Sequence, residues 1–474
     1  MKQDFFGRKW ELERLNRALE AVRQGGSRPG ECLIVSGRRR VGKTRLVQEF
    51  VTQSGLPSVF FTASELPPDL ELENFQVEVA NSDLPNREIY GPGANDWNGS
   101  LRLFAQTLPQ DQPTIVVIDE LPYLTKTVES FEGILQTVWD RIMFPKPVLL
   151  ILIGSDVSIM ESINSYERPF HQRGTPMKIG PLTPADIAEM AELEPAEAFD
   201  AYLITGGLPL LCSHWEPGMT RSEYLRKSVS DATSPLVVAA PLNMEGEFRP
   251  DTHAATILPI IATHERAYNA IKQRSDLPDS TFKRAMDALL SKGIITADQP
   301  LSTKSTREKR YRISDPYLRF WFHFLKSHLG HIDRSRPELV MDYLESGWSA
   351  WRGRAVEPLI RESLARLHIE DAPWEPKDAA EIGSFWTRSN DVEVDLVAAD
   401  RSPVANQIGF VGSIKWYESK PFCAQDFKQL ARSATRIPGV DAATPLVAVS
   451  RVPVEDELGA QRIFTPDDLM KAWR

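Results

Sequence analysis

Residues near the N-terminus have the types and spacing that bind a triphosphate. Residues 37–44 read GRRRVGKT and follow an apolar, strand-like run, which is the context of the G-x-x-x-x-G-K-T phosphate loop. Gly37 and Gly42 would let backbone N–H groups turn toward phosphate oxygens at a helix N-terminus. Lys43 would reach the β- and γ-phosphates, and the Thr44 hydroxyl would hold Mg²⁺. The loop therefore predicts binding of ATP with Mg²⁺, with further nucleotide contacts from its neighbours Arg40, Val41 and Arg45.

Two carboxylates at the end of a second apolar run supply the other half of such a site. Residues 114–120 read TIVVIDE, which is the Walker B pattern. Asp119 would hold Mg²⁺, and Glu120 would orient and deprotonate the attacking water. Either motif alone could be an ordinary loop or a buried parallel strand. Both motifs in this order predict an enzyme that binds and hydrolyses a nucleoside triphosphate.

Two more polar positions could act on the transferred phosphate. Ser155 follows an apolar run at 148–154, where its side chain would lie beside the γ-phosphate; a solvated strand end is the alternative. Arg168 and Arg173 begin and end the segment RPFHQR, and either could serve as an arginine finger across a subunit interface. The alternative for either arginine is a surface salt bridge. A finger acting in trans would require a homo-oligomer.

The composition indicates a soluble protein with several domains. A chain of 474 residues is too long to fold around a single hydrophobic core, so about three domains are expected. The hydrophobic share of 42% and the charged share of 25% are ordinary for globular proteins. The widely spaced Cys32, Cys212 and Cys423 predict neither a disulfide framework nor a cysteine zinc site. The absence of a signal-peptide pattern and of any long apolar run predicts a cytoplasmic location without membrane contact.

The elements that must position the phosphate site follow an α/β pattern. Over residues 1–182, strand-like runs alternate with helical patterns, which predicts a P-loop ATPase core with a parallel sheet covered on both faces. The predicted strands are 32–36, 59–63, 115–119, 148–154 and 177–179. The proline-rich, acidic stretch 65–98 is expected to be an irregular insertion. Residues 183–249 begin with a Thr-Pro-x-Asp helix start and predict a helical lid on the ATP site.

Residues 250–315 have the pattern of a winged helix. Their third helical run, 280–292, has an apolar face that leaves Lys283 and Arg284 outside, where a recognition helix would meet the major groove. The following stretch TKSTREKRYRI predicts a basic wing whose cations include Lys304, Arg307, Lys309 and Arg310. This local positive charge would attract duplex DNA phosphates in a salt-dependent way. The alternative is a scaffolding winged helix that contacts a protein partner.

Several short motifs occur together, in one order, in a known family. They are the opening FFGRKWELERL, then GRRRVGKT, IVVIDELPYL, LIGS, RPFHQR, GGLP and YRISDPYLRFWF. Over nearly the whole chain this series resembles the archaeal-type ATPases, a branch of the AAA+/STAND P-loop ATPases. The resemblance implies an AAA+-like core with a lid, a winged helix and a C-terminal domain similar to PD-(D/E)XK nucleases. It also implies that Gly7 and Arg8 lie near the adenine and that Ser155 is the sensor.

The C-terminal half would then consist of a helical connector at 316–350 and a restriction-endonuclease-like α/β domain at 351–474. In the nuclease pattern, one strand carries a metal-binding Asp and the next strand carries Glu-x-Lys.

Asp395 fits the first nuclease position, Lys415 fits the lysine, and Glu357 could add a ligand from a helix. Ser413 stands where the second carboxylate should be, and a hydroxyl cannot replace the charge that holds Mg²⁺. Glu393, on the same strand face as Asp395, would compensate only in part. The sequence therefore predicts a degenerate nuclease-like domain.

Three functions remain open from the sequence. The first is an ATP-dependent switch or motor that engages duplex DNA through the winged helix. The second is an ATP-regulated, metal-dependent DNA endonuclease. The third is a STAND-like signalling scaffold that binds proteins.

Overall fold

The computed structural model describes residues 5–26, 29–90, 94–247, 253–263, 267–367, 369, 372, 374–454 and 459–474. The chain divides into two compact units, Met1–Leu182 and Thr183–Arg474. The boundary predicted between lid and winged helix, at 249–250, lies outside the described residues. No helix in the described ranges is both long and apolar enough to span a bilayer.

The first unit is built on a parallel sheet, as predicted. Its strands are β1 (Glu31–Ser36), β2 (Ser58–Thr62), β3 (Thr114–Asp119), β4 (Val148–Gly154) and β5 (Thr175–Lys178). They pair in the order β2-β3-β4-β1-β5, and every pairing is parallel. All residues of β3 and β4 are buried, because parallel strands covered on both faces read as continuous apolar runs. The carboxyl ends of β1, β3 and β4 therefore meet at one edge of the sheet.

Helices cover this sheet. They are α1 (Lys9–Gln24), α2 (Lys43–Ser54), α3 (Pro68–Asn81), α4 (Trp97–Thr107), α5 (Leu121–Thr127), α6 (Phe131–Val138) and α7 (Val157–Ile163). A 3₁₀ turn spans Arg87–Tyr90 and a π-helical turn spans Trp139–Met143.

The prediction of an irregular insertion at 65–98 was wrong for most of that stretch. Helix α3 occupies Pro68–Asn81, with its proline at the first helical position, where no N–H is needed. The helix buries Leu72, Phe75 and Val79 in the same core as the sheet. The Phe75 ring contacts its aromatic neighbours Phe61, Trp97 and Phe104. Tertiary packing of three apolar side chains outweighs the acidic, proline-rich composition.

The second unit begins with helices. They are α8 (Pro184–Ala191), α9 (Pro195–Thr205), α10 (Pro209–Cys212), α11 (Arg221–Val229), α12 (Pro235–Glu247), α13 (Ala254–Thr263), α14 (Tyr268–Ser275) and α15 (Asp279–Ser291). The Thr183 hydroxyl and the Asp186 carboxylate form the reciprocal capping box expected at the start of α8. After α15 comes an antiparallel hairpin of β6 (Ile295–Asp298) and β7 (Arg310–Ile313).

A further set of helices follows the hairpin. It contains α16 (Pro316–Phe320), α17 (Leu329–Asp333), α18 (Pro337–Ala355) and α19 (Glu357–Arg366). Short turns occupy Trp321–Leu325, Lys326–His328 and Pro376–Ala379.

A mixed sheet closes the chain. Its strands are β8 (Glu381–Trp386), β9 (Glu393–Ala399), β10 (Ile408–Lys415), β11 (Leu446–Ser450) and β12 (Arg462–Phe464), in the order β12-β11-β10-β9-β8. Strands β8, β9 and β10 pair antiparallel, and β10, β11 and β12 pair parallel. Helices α20 (Ala424–Ala434) and α21 (Pro466–Met470) and a final turn at Lys471–Trp473 complete the unit.

The loop between β6 and β7, predicted to be a wing, is anchored on this mixed sheet. Leu301 belongs to the core of the sheet and donates its backbone N–H to the Ser384 carbonyl. Ser302 forms a bridge with Val404. The loop and the mixed sheet therefore pack as one structure within the second unit.

Candidate functional site

The phosphate loop joins β1 to α2 through backbone conformations that require glycine. Gly42 precedes α2 with a φ of 89°, in the left-handed region that glycine adopts readily. A Cβ at Gly37 would lie 2.3 Å from the Ile179 carbonyl oxygen, so no side chain fits there. These two glycines let the chain turn tightly at the edge of the sheet.

Lys43 is held within this loop. Its side chain is 6% exposed, and its ammonium donates to the carbonyl oxygens of Gly37 and Arg38 at 2.8 and 3.0 Å. Burial lowers the pKa of Lys43, and the carboxylates of Glu120 and Asp119 oppose that shift. A cation in this position is suited to triphosphate oxygens that approach the loop.

Thr44 and Asp119 come together as the sequence predicts for a magnesium site. The Thr44 hydroxyl donates to Asp119 Oδ2 at 2.7 Å, and the Glu120 N–H donates to Asp119 Oδ1 at 2.8 Å. Burial raises the pKa of Asp119 above its usual range, and these hydrogen bonds oppose the shift. A hydroxyl beside a carboxylate offers the hard oxygen ligands that Mg²⁺ prefers, so the residues fit the ion.

Glu120 and Ser155 also meet at the edge of the sheet. The Ser155 hydroxyl donates to Glu120 Oε2 at 2.8 Å. Glu120 has a φ of 53° between β3 and α5, a left-handed conformation that costs a non-glycine residue about 1–3 kcal/mol. Ser155 therefore restrains the side chain of Glu120, a residue whose backbone already lies outside the strand. Ser155 is thus hydrogen-bonded to Glu120 rather than to solvent alone.

Arg8, next to Gly7, lies beside the phosphate loop through contacts that the sequence did not reveal. Arg8 is 5% exposed, and its Nη2 donates to the carbonyls of Val41 and Gly180, each at 2.7 Å. Its Nη1 pairs with Glu11 at 2.7 Å. Gly7 and Arg8 both have positive φ, 68° and 63°. The guanidinium thus ties the N-terminal segment to the loop backbone.

Of the other predicted nucleotide contacts, Val41 is buried in the loop, whereas Arg40 and Arg45 lie at the surface. Arg40 is exposed with a φ of 67°, and Arg45 pairs with Glu49 at 3.4 Å. A contact that sequence reasoning missed joins Arg39 to the Tyr123 hydroxyl at 3.3 Å. The apolar residues before Tyr123 did not predict this contact with Arg39.

Arg173 is engaged within its own unit. Its guanidinium binds both oxygens of Asp140 at 2.9–3.0 Å and donates to the carbonyls of Pro169 and His171 at 3.0 Å. Arg168 pairs with Glu132. The geometry matches the structural salt bridge that the sequence left as the alternative. An arginine finger at Arg173 would require these bonds to break.

The predicted DNA-binding cations fall into two groups in the structure, those on helix α15 and those in or beside the loop between β6 and β7. Helix α15 buries Phe282, Ala285, Met286 and Leu289 and leaves Lys283 and Arg284 exposed, as its periodicity predicts. In the loop anchored on the mixed sheet, the exposed cations are Lys304, Arg307 and Lys309.

Arg310 differs from the other predicted wing cations. It pairs with Glu393 Oε1 at 2.7 Å, donates to Asn390 Oδ1 at 2.7 Å and lies over the Trp386 ring. Because its guanidinium is held by the mixed sheet, its assignment as a free DNA contact is corrected.

The residues predicted as a nuclease remnant each have another partner. Asp395 Oδ2 accepts hydrogen bonds from the Ser413 hydroxyl at 3.0 Å and the Ile414 N–H at 2.8 Å, while burial raises its pKa. Glu357 pairs with Arg361 at 3.6 Å, and Lys415 pairs with Asp426 at 3.4 Å.

Within the described ranges, no group of three or more His, Cys, Asp or Glu is arranged to hold a metal ion. The serine that replaces the expected carboxylate instead donates a hydrogen bond to Asp395.

Comparison with known proteins agrees with the geometry of the phosphate site. Residues 5–212 match a family described as an ATPase domain predominantly from Archaea, and this match extends through α10. Residues 321–428 match a family described as archaeal and bacterial proteins of unknown function. An uncharacterized protein of Methanocaldococcus jannaschii is 25% identical over 440 residues, covering 91% of each chain.

Two solved structures are similar to part of this chain at low identity. A Walker-type ATPase of Pyrococcus abyssi has a TM-score of 0.48 at 16% identity and covers 68% of this chain and 97% of its own. The ORC2 protein of Aeropyrum pernix has a TM-score of 0.44 at 13% identity and covers 73% of this chain and 97% of its own.

Proposed function

We propose that this chain is an ATP-driven switch or motor that engages duplex DNA, a proposal supported by the match of residues 5–212 to a family described as an ATPase domain predominantly from Archaea. One observation supports ATP binding and hydrolysis. A lysine, two hydroxyl side chains and two carboxylates come together at the carboxyl edge of the parallel sheet. These residues are Lys43, Thr44, Asp119, Glu120 and Ser155.

The phosphate-binding step follows from the loop geometry. Backbone N–H groups at the start of α2 and the Lys43 ammonium would receive the phosphates. Thr44 and Asp119 would hold Mg²⁺, which when bound supplies positive charge to the phosphate oxygens.

Glu120 is the group best suited to activate water. Its carboxylate would accept the proton of the attacking water, and the hydrogen bond from Ser155 would fix the carboxylate for that task. In the proposed hydrolysis, the Glu120–Ser155 pair would lie next to the change in charge when the γ-phosphate leaves, so it could transmit the nucleotide state along β4.

The DNA half of the proposal is supported by exposed cations in the second unit. Lys283 and Arg284 extend from the solvent face of α15, and Lys304 and Arg307 extend from the loop after β6. Phosphate contacts by such side chains would dominate affinity and make it depend on salt. The order of three helices and a hairpin, α13 to β7, agrees with a helix-in-groove mode of binding.

Replacement of Lys283 and Arg284 by alanine tests the DNA half. Binding of a fluorescent duplex should weaken, and the slope of log affinity against log salt should become shallower by about two, because two phosphate contacts are lost. Lys428→Ala with Arg432→Ala, which removes two exposed cations from α20, is the matched control. Equal affinity and slope in both double variants would remove α15 from the interface.

Neither rival function gains comparable support. An endonuclease needs a group of carboxylates around its metal, yet within the described ranges no three His, Cys, Asp or Glu residues are arranged in that way, and Ser413 stands at the position of the second carboxylate. A signalling scaffold remains the outcome if the duplex neither binds nor changes turnover.

A further inference from the structure

A polar pocket lies within the second unit, far along the chain from the phosphate loop. It has a volume of about 330 Å³ and lies between the end of the β6–β7 loop, the end of α18 and the β8–β9 connection. We call it the junction pocket. Its charged lining residues are Glu308, Lys309, Arg310, Arg354, Arg388 and Glu393.

The charges of the junction pocket do not cancel. Four cations face two carboxylates, and both carboxylates are already paired. Glu393 pairs with Arg310 at 2.7 Å, and Glu308 lies 3.7 Å from Arg388.

Lys309 and Arg354 are exposed, and neither has an ion pair or side-chain hydrogen bond to any part of the chain that the structure describes. Two positive charges are therefore left over in one concave site.

The wall of the pocket is held in place without a ligand. Arg310 lies over the Trp386 ring, 4.5 Å from its centroid, and donates to Asn390 Oδ1 at 2.7 Å. Thr387 and Asn390, in the tight turn between β8 and β9, are bonded to each other through their backbones. A site whose groups are already fixed loses less entropy when it binds a ligand.

We propose that the junction pocket binds a phosphate monoester. A monoester carries close to two negative charges at neutral pH, which matches the two uncompensated cations. Arginine beside lysine supplies the fork-shaped and point-like donors that phosphate oxygens accept. The volume falls at the lower end of the range of small-molecule sites, about 300–1,000 Å³.

The monoester could be carried by a free nucleotide or by the 5′ end of a nucleic-acid strand. Both present the same group, and an internal phosphodiester presents only one charge. The proposal does not depend on ATP hydrolysis or on duplex binding by α15, because the pocket uses other residues.

The test uses the full-length chain carrying Lys43→Ala, so that the phosphate loop contributes as little as possible. Three probes are compared: a single-stranded oligonucleotide with a 5′-phosphate, the same oligonucleotide with a 5′-hydroxyl, and uridine 5′-monophosphate as competitor. Binding is measured by fluorescence anisotropy of a label at the 3′ end. Lys309→Ala with Arg354→Gln removes the two cations, and Lys428→Ala with Arg432→Gln is the matched control.

We expect the 5′-phosphate to tighten binding at least about tenfold, the effect of a charge-assisted hydrogen bond. This advantage should vanish in the Lys309→Ala, Arg354→Gln protein and persist in the control. Displacement by uridine 5′-monophosphate at concentrations similar to those of the oligonucleotide supports a free nucleotide as the source. Failure of the mononucleotide to displace it supports a strand end.

The proposal is overturned if the two oligonucleotides bind equally well before the pocket is changed. It is also overturned if the double variant weakens both oligonucleotides to the same extent, because that result reports only general attraction to nucleic acid. Since both changed side chains are exposed, thermal unfolding should match that of the control and exclude misfolding as the cause. Failure of ATP turnover or of duplex binding in the unmodified chain would not change any of these outcomes.

Discussion

In the proposed ATP hydrolysis, catalysis would depend on the contact between Glu120 and Ser155. The Ser155 hydroxyl reaches Glu120 Oε2 at 2.8 Å, at a backbone position with positive φ. Such a hydrogen bond restricts a side chain that would otherwise rotate freely at the end of a strand. The water-activating role assigned to Glu120 therefore depends on both residues.

Replacing Glu120 by glutamine should leave nucleotide binding nearly unchanged and lower ATP turnover by about a hundredfold or more, as loss of a general base does. Ser155→Ala should give a smaller loss, because the base remains but is less well oriented. Steady-state phosphate release and binding of a fluorescent ATP analogue separate the two effects. Turnover in Glu120→Gln equal to that of the parent would assign water activation to another group.

The buried Lys43 ammonium predicts a pH dependence of nucleotide affinity. Burial lowers its pKa from the ordinary value of 10.5, so the charge that binds phosphate is lost at lower pH than for an exposed lysine. Affinity should fall as pH rises through this lowered pKa, because the ammonium then loses its charge. Calorimetric titration of the parent and of Lys43→Ala measures it. A similar alkaline decline in the variant, whose affinity should be weak and flat, would trace the effect to another group.

At the residue scale, short motifs were predictable and long-range partners were not. Lys43, Thr44 and Asp119 occur in local motifs whose chemistry can be predicted from residue type and spacing. The partner of Arg173, Asp140, lies 33 positions away in a helical segment with no matching signal. The Gly180 carbonyl that Arg8 contacts lies 172 positions away, and no local pattern predicts that contact either. Such contacts form only when folding brings together segments that are distant in the sequence.

At the scale of elements, a buried ion network joins α9, α18 and the mixed sheet. Arg352 on α18 is fully buried, and its Nη1 lies 2.9 Å from Asp200 on α9. Its Nη2 donates to the Trp416 carbonyl at 3.0 Å. Asp200 also accepts from Trp416 Nε1 at 3.2 Å and lies 3.3 Å from Arg451. Burial raises the pKa of Asp200, and the two arginines oppose that shift.

Arg352→Ala should destabilise the second unit by about 3–5 kcal/mol, because it leaves a buried carboxylate with one partner fewer. Lys227→Ala, which breaks an exposed pair with Glu216, is the control and should cost no more than about 1 kcal/mol. Chemical unfolding followed by tryptophan fluorescence reports both. A loss as small as that of the control would mean that Arg451 alone neutralises Asp200.

Elements with strong periodicity were predicted well, and elements stabilised by tertiary contacts were not. The strands of the parallel sheet follow from uninterrupted apolar runs, and the face of α15 follows from its spacing. Helix α3 was missed because its acidic side chains hide an apolar stripe of only three residues. This stripe stabilises the helix only in the folded protein, where Phe61, Trp97 and Phe104 pack against Phe75.

At the scale of the whole molecule, the basic loop after β6 is a connector as well as a charged surface. Leu301 and Ser302 fasten it to the mixed sheet, and Arg310 pairs with Glu393 there. The sequence predicted the positive charge of this loop but not its anchoring, since nothing in TKSTREKRYRI marks a partner about 80 residues downstream. Nucleic acid that contacts the loop would therefore also act on the mixed sheet.

The proposed switch couples ATP turnover at Glu120 to duplex DNA. Steady-state ATP turnover of the full-length chain is measured with and without a saturating duplex, and with Lys283→Ala, Arg284→Ala in parallel. We expect the duplex to change the turnover rate of the parent severalfold and the double variant to need more DNA for the same change. Identical turnover with and without DNA, at concentrations where the duplex is bound, would contradict the coupling.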